Sequence, residues 1–212
     1  MRPSLCLSAS ALALLALMPL SALDLKKAVV VAPAKLTMQE SAAVSVLVEE
    51  VQKRTQMRLA VQNSLPAAGT PAIIVGTNAN LAGLAGVPLS RMAAAPRGAE
   101  GFRVQAVGGN VIVAGNDQRG MLFGVGYLLR QMRMERGHVL EVDDKLAVST
   151  APRFALRGHQ LGYRPKVNAY DAFTVEMFDQ YIRDLAIFGT NAIEFIPPRS
   201  DDADDSPHFP LP

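Results

Sequence analysis

Apolar residues recur along this chain in two periods, and the switches between them predict its elements. Ala28–Ala32, AVVVA, is a β-branched run behind Lys26-Lys27 and is closed by Pro33, which predicts a short buried strand. Thr37 followed three residues later by Glu40 makes a capping-box pattern. The helix it opens places Val44, Leu47, Val48 and Val51 at i, i+3, i+4 and i+7, with Glu49, Glu50, Lys53 and Arg54 largely on the opposite side. Arg58–Val61 predicts a short strand and Ala72–Gly76, AIIVG, a stronger one. Residues 79–98 are rich in Ala, Gly and Pro and read as an irregular surface connection with room for one short helix.

The sharpest local pattern is residues 101–116. Phe102, Val104 and Ala106 alternate with Arg103 and Gln105; Gly108-Gly109-Asn110 supplies the positive-φ residues of a tight hairpin; Val111–Ala114 returns as the partner strand. Asn116 or Asp117 then caps a helix to about Met132, with Met121, Val125, Leu128 and Met132 on one face and Leu122 and Leu129 beside them. Gly120 and Gly124, one turn apart, each cost about 1 kcal/mol in a helix, so close backbone packing is the expected reason for them. Arg130, Arg133 and Arg136 suit the negative end of the helix dipole better than an anion-binding patch. His138–Val148 predicts one more strand and Ser149–Pro152 a linker. Residues 23–150 therefore predict an α+β domain: an antiparallel-rich sheet of about four strands with two long helices on one face.

A second unit follows over 151–212. Phe154–Leu161 predicts a strand, Asp171 or Thr174 a cap, and Val175–Phe188 a helix with Met177, Tyr181, Leu185 and Phe188 at helical spacing, widened by Phe178, Ile182 and Ile187. Gly189 stops that helix, and Ala192–Ile196 predicts a strand ended by Pro197-Pro198. This is a β-α-β unit of a parallel sheet with a right-handed crossover. An eight-unit βα barrel takes about 250 residues, so the unit reads as the start of an incomplete TIM barrel and the chain as the beginning of a larger protein.

Composition is that of a globular chain, 50% hydrophobic and 19% charged, with a net charge of +2 that gives no footprint for nucleic acid. Residues 1–22 carry Arg2, an apolar run from Ala11 to Met18, then Pro19 and small residues, the layout of a secretory signal peptide cleaved after Ala22. The run is shorter than the roughly 18–20 residues that span a bilayer. Cleavage would remove Cys6, the one cysteine, leaving an exported chain of about 190 residues that is indifferent to redox state and free of the membrane.

Residues 100–132, EGFRVQAVGGNVIVAGNDQRGMLFGVGYLLRQM, resemble the N-terminal α+β domain that precedes the barrel in family 20 β-N-acetylhexosaminidases and family 67 α-glucuronidases. The EGF-type strand, the hairpin, the G-N-D turn and the R-G-x-L-x-G helix start carry the likeness. APRFALRGHQLGYR, residues 151–164, looks like the junction into the first barrel strand of hexosaminidase-like enzymes. Gly162 stands where that family has an Asp, and Arg164 falls one residue short of the position of its sugar-binding Arg. The resemblance implies a glycoside hydrolase whose catalytic acidic pair lies on a later barrel strand.

Glycoside hydrolysis uses two carboxylates across the scissile bond, or one with the substrate's acetamide, at the C-terminal ends of barrel strands. The candidate sugar contacts at those ends are Arg157, His159, Gln160, Arg164 and Glu194. Alternation puts Arg157 and His159 on one face and Gln160 on the other. No catalytic residue is assigned, and no cofactor or metal is expected. Asp201, Asp202, Asp204 and Asp205 lack calcium-loop spacing, the three histidines are scattered, and Gly124-Val125-Gly126 is not a dinucleotide fingerprint. The expected partner is a carbohydrate bound through the rest of the barrel, with the fragment itself inactive. The alternative is a non-catalytic module that binds glycan or protein.

Overall fold

The structure is a computed structural model that describes residues 21–161 and 173–195. In chain order its elements are β1 (Ala22–Asp24), β2 (Val29–Val31), α1 (Met38–Thr55), β3 (Val61–Gln62), β4 (Ala72–Thr77) and α2 (Asn78–Ala82). After a 3-10 turn (Leu89–Arg91) come β5 (Phe102–Val107), β6 (Asn110–Gly115), α3 (Gln118–Gln131), β7 (Arg133–Glu135), β8 (Val139–Asp143) and β9 (Ala147–Thr150). The last three are β10 (Gly158–Leu161), α4 (Val175–Ile187) and β11 (Ala192–Phe195).

A six-stranded sheet in the order β3-β2-β4-β6-β5-β9 forms the centre. It is α+β and mixed, which corrects the expectation of about four antiparallel-rich strands: β3, β2, β4 and β6 are mutually parallel, β5 runs against them, and β9, antiparallel to β5, runs with them again. Within this sheet the β5-β6 hairpin is the pairing closed by a tight turn, and it is antiparallel. The parallel pairings join segments far apart in the chain, where local pattern carries no signal of direction.

Both faces of this sheet are covered. On one, α1 and α3 pack on Val30, Ile73, Val75, Val104, Val111 and Val113. On the other, Leu81 and Met92 from the 79–98 connection cover Val31, Ile74, Ile112 and Ala114. Residues 79–98 are thus a lid on the second face, built from α2 and the 3-10 turn. Every residue of β4 is buried, which is why AIIVG shows no alternation.

Local chemistry follows the sequence closely. Thr37 Oγ1 accepts from Glu40 N at 3.3 Å while the Glu40 carboxylate accepts from Thr37 N at 2.8 Å, completing the capping box. Gly108 and Gly109 hold φ of +57° and +82° between Val107 and Asn110, as a two-residue hairpin requires. Asp117, rather than Asn116, caps α3 through Gly120 N at 2.7 Å. His138–Val148 is two strands. An Asp143–Lys145 turn splits it, and β8 joins β1 and β7 in a separate antiparallel sheet. Ser149 and Thr150, expected in a linker, are the end of β9 and pair with Arg103 and Phe102.

β10 and β11 pair in parallel, with His159 opposite Ile193 and Gln160 opposite Glu194. The strand starts at Gly158 because Phe154 and Leu156 lie outside it, exposed. Thr174 caps α4 through Met177 N, and Gly189 leaves it with φ +93°. The helix docks on α3, where a Cβ on Gly126 would come within 2.3 Å of the Ile187 carbonyl oxygen. None of the helices among the described residues is long and apolar enough to cross a membrane.

Gly120 gives the sharpest test of this packing. In a free helix, Gly→Ala gains about 1 kcal/mol. Here a Cβ would meet the Gly101 carbonyl oxygen at 2.3 Å. Gly120→Ala is expected to destabilise by about 1–3 kcal/mol and lower the melting temperature; a raised melting temperature would contradict the contact.

Candidate functional site

The two units meet on a buried carboxylate. Glu100 sits just before β5 with φ +60°, a left-handed conformation that costs a non-glycine residue free energy. Its backbone N–H donates to Asp117 Oδ2 at 2.7 Å, so one aspartate holds both this residue and the α3 N-terminus. The Glu100 side chain is 6% exposed and accepts three partners. Arg157 Nη2 reaches Oε2 at 2.6 Å, Arg119 Nε lies 3.0 Å from Oε1, and Asn191 Nδ2 lies 3.2 Å and 3.3 Å from the two oxygens.

Arg157 belongs to this junction. Its Nε donates to the Gly189 carbonyl at 2.8 Å and its Nη1 to the Phe154 carbonyl at 2.7 Å. Its guanidinium also stands 5.1 Å from the Phe123 ring centroid of α3. Asn191 closes the ring by accepting from Arg157 N at 2.9 Å and donating to the Ala155 carbonyl at 2.7 Å.

Two further contacts seat α4. Glu50 of α1, placed by the sequence pattern on the outer side, is fully buried because α4 covers it. It pairs with Arg54, accepts from Gln180 at 3.2 Å and lies 3.6 Å from Arg183, which also reaches Glu49 at 2.6 Å. Arg130 donates to the Ile187 carbonyl and stacks 5.0 Å from the Phe188 ring centroid. Burial there lowers the Arg130 pKa from its ordinary value. The arginine expected to serve its own helix dipole instead binds the C-terminal end of α4. Arg133 pairs with Glu141 at 2.7 Å and Glu135 at 2.9 Å, which raises its pKa.

The strand ends divide the remaining candidates by face. His159 points toward α4, where its Nε2 is 3.0 Å from the Tyr181 hydroxyl and the rings meet edge to face. Gln160 and Glu194 share the opposite face and touch, Nε2 to Oε2, at 3.1 Å on the exposed side. Glu194 is the one carboxylate in β10 and β11. Arg157 is engaged in the junction, and Arg164, Gly162 and the acidic loop 200–206 lie outside the described residues. Among the described residues no cluster of His, Cys, Asp or Glu could hold a metal ion.

Sequence reading assigned no role to Glu100, Asn191 or Gly126, and gave Glu50 the wrong side. Glu100 stood inside the EGF motif, which was the available signal. Gly126, two residues after Gly124, was the other.

No protein-family model and no curated protein matches this chain. Solved structures do match its fold. A family GH115 4-O-methyl-α-glucuronidase with specificity for decorated arabinogalactans aligns with a TM-score of 0.57 at 15% identity, over 80% of this chain and 24% of that one. The GH20 exo-β-N-acetylglucosaminidase from Vibrio harveyi aligns at 0.57 and 19% identity, over 82% of this chain and 22% of its own. The GH20 β-N-acetylhexosaminidase from Streptomyces coelicolor A3(2) aligns at 0.55 and 18%, over 80% and 30%. The chain thus has the fold of the N-terminal domain of glycoside hydrolases of these kinds, and spans less than a third of the length of each.

A buried pair adds little net stability, but losing one partner strands the other and costs about 3–5 kcal/mol. Glu100→Gln is expected to lose that much in urea unfolding. The double variant with Arg157→Met should recover at least about 1 kcal/mol of the summed loss. Additive losses would show that the two side chains do not act as a pair.

Proposed function

We propose that the chain carries the N-terminal α+β domain and the first β-α-β unit of an exported (β/α)8 glycoside hydrolase acting on O-glycosidic bonds. The supporting observation is the parallel β10-α4-β11 unit seated by its helix on α1 and α3, the helix lying outside its strands as barrel helices do. In a barrel the face away from the helix is the interior. Gln160 and Glu194 occupy that face and are the residues we assign to substrate hydroxyls; Arg157 and His159 hold the strand in place.

Cleavage by two carboxylates needs them about 5–5.5 Å apart for retention or about 6.5–9.5 Å for inversion. Glu194 does not supply that pair, and we assign the catalytic carboxylates, for this route or for one assisted by the substrate's acetamide, to further barrel strands, so this chain by itself is expected to turn over nothing. Export behind residues 1–22 completes the proposal, with cleavage leaving Leu23 and Asp24 of β1 at the start of the mature chain.

Purified chain offered a panel of nitrophenyl glycosides, including N-acetylglucosaminide and glucuronide, is expected to release no nitrophenol above buffer. Turnover that disappears in Glu194→Gln would overturn the assignment of catalysis elsewhere.

A further inference from the structure

We propose that the cleft at the carboxyl ends of β2, β4 and β6 binds a carboxylate-bearing sugar. β2 and β4 lie side by side in parallel but send the chain to opposite faces of the sheet, β2 into α1 and β4 into α2. Where neighbouring parallel strands diverge in this way, the outgoing segments part and leave a crevice, and open α/β sheets bind ligands there. This crevice is an open groove of about 630 Å³, within the roughly 300–1,000 Å³ of ligand pockets. Lys35 and Thr37 line it from β2, Thr77 and Asn80 from β4, and Gln118 and Arg119 from β6.

Its chemistry follows from which groups are already used. Both carboxylates in the lining are occupied: Glu40 by Thr37 N and Asn80 Nδ2, at 2.8 Å and 2.7 Å, and Asp117 by Glu100 N and Gly120 N, both at 2.7 Å. The same bonds cap α1 and α3, so the cleft does not depend on open helix ends. The unused groups are mostly donors. The Lys35 ammonium and Gln118 amide have no hydrogen-bond partner among the described residues. Arg119 uses Nε on Glu100 and is otherwise 62% exposed. The Thr37 and Thr77 hydroxyls accept at their oxygens, each at 3.3 Å, and keep a proton to give.

Glu40 and Asp117 keep their negative charge but are tied to the wall by their own N–H donors, so the groups left to meet a ligand are the Lys35 ammonium, the free guanidinium nitrogens of Arg119 and several neutral donors, a set that complements acceptors. A carboxylate suits Lys35 and Arg119 together, and ring hydroxyls suit the Gln118 amide, the threonines and Asn80 Oδ1. The carboxylate is assigned from the cleft alone; the choice of a sugar to carry it rests on the glycoside-hydrolase reading.

Amide NMR of the full chain, titrated with D-glucuronate, D-glucose and acetate at constant ionic strength, tests this. Glucuronate is expected to move the amides of residues 35–40, 77–80 and 116–119 and to bind at least about tenfold tighter than either control. Lys35→Ala, at an exposed position, should weaken it by about tenfold with the rest of the spectrum unchanged. Absence of shifts at those amides, or glucose binding as tightly as glucuronate, overturns the site. Acetate binding as tightly overturns the sugar. None of these readings depends on glycoside turnover, so failure of the enzyme assignment remains distinguishable.

Discussion

The arrangement of this protein depends on one buried carboxylate. Glu100 lies at the end of the lid over one sheet face, at the start of a central strand, and beside the N-terminus of α3. Into that position come Arg157 and Asn191, the residues that open β10 and β11. A charge in a dry site is tolerated only when its hydrogen-bonding capacity is met. Glu100 meets it with groups from both units, so the carboxylate is fully satisfied in its dry site only while both are docked. The strained φ at Glu100 belongs to the same constraint, because it turns the side chain toward the junction while the backbone N–H reaches Asp117.

Close backbone approach makes the junction possible. Gly120 lets α3 sit on the Gly101 carbonyl, Gly124 lets it sit on Val113, and Gly126 lets α4 sit on α3. These three glycines lie on one short helix, and each meets a different neighbour. Propensity alone argues against them there, and close packing accounts for their presence. Glu50 and Arg130 add polar contacts at the flanks, on α1 and at the C-terminal end of α4. The outcome is a β-α-β unit held by its helix, with the Gln160–Glu194 face turned away from the first domain.

The local features were readable from sequence because their causes are local. The Thr37–Glu40 box, the Gly108-Gly109 hairpin, Gly120 and Gly124 and the α4 boundaries each follow from a few adjacent residues, whereas Gly126 meets a partner 61 residues away, Ile187. Sheet direction was not readable, since β2, β3, β4 and β6 meet across long stretches of chain. Glu50 was misplaced for the same reason: amphipathic pattern assumes one apolar face, and α4 buries a second face of α1 with polar contacts. For the candidate site, alternation correctly separated His159 from Gln160, but only the packing of α4 shows which side faces the domain. Arg157 looked like a sugar ligand because a strand-end arginine in sequence gives no sign of a distant buried glutamate.

The central claim is that Glu100 binds the β-α-β unit and the α+β domain into one cooperative body. Native-state hydrogen exchange measures this directly. The amides of α4 and β10 should exchange with nearly the same opening free energy as those at the centre of α3, and should move with them as denaturant is added. If α4 and β10 instead open several kcal/mol more easily while α3 stays protected, the junction does not hold the two units together and the claim fails.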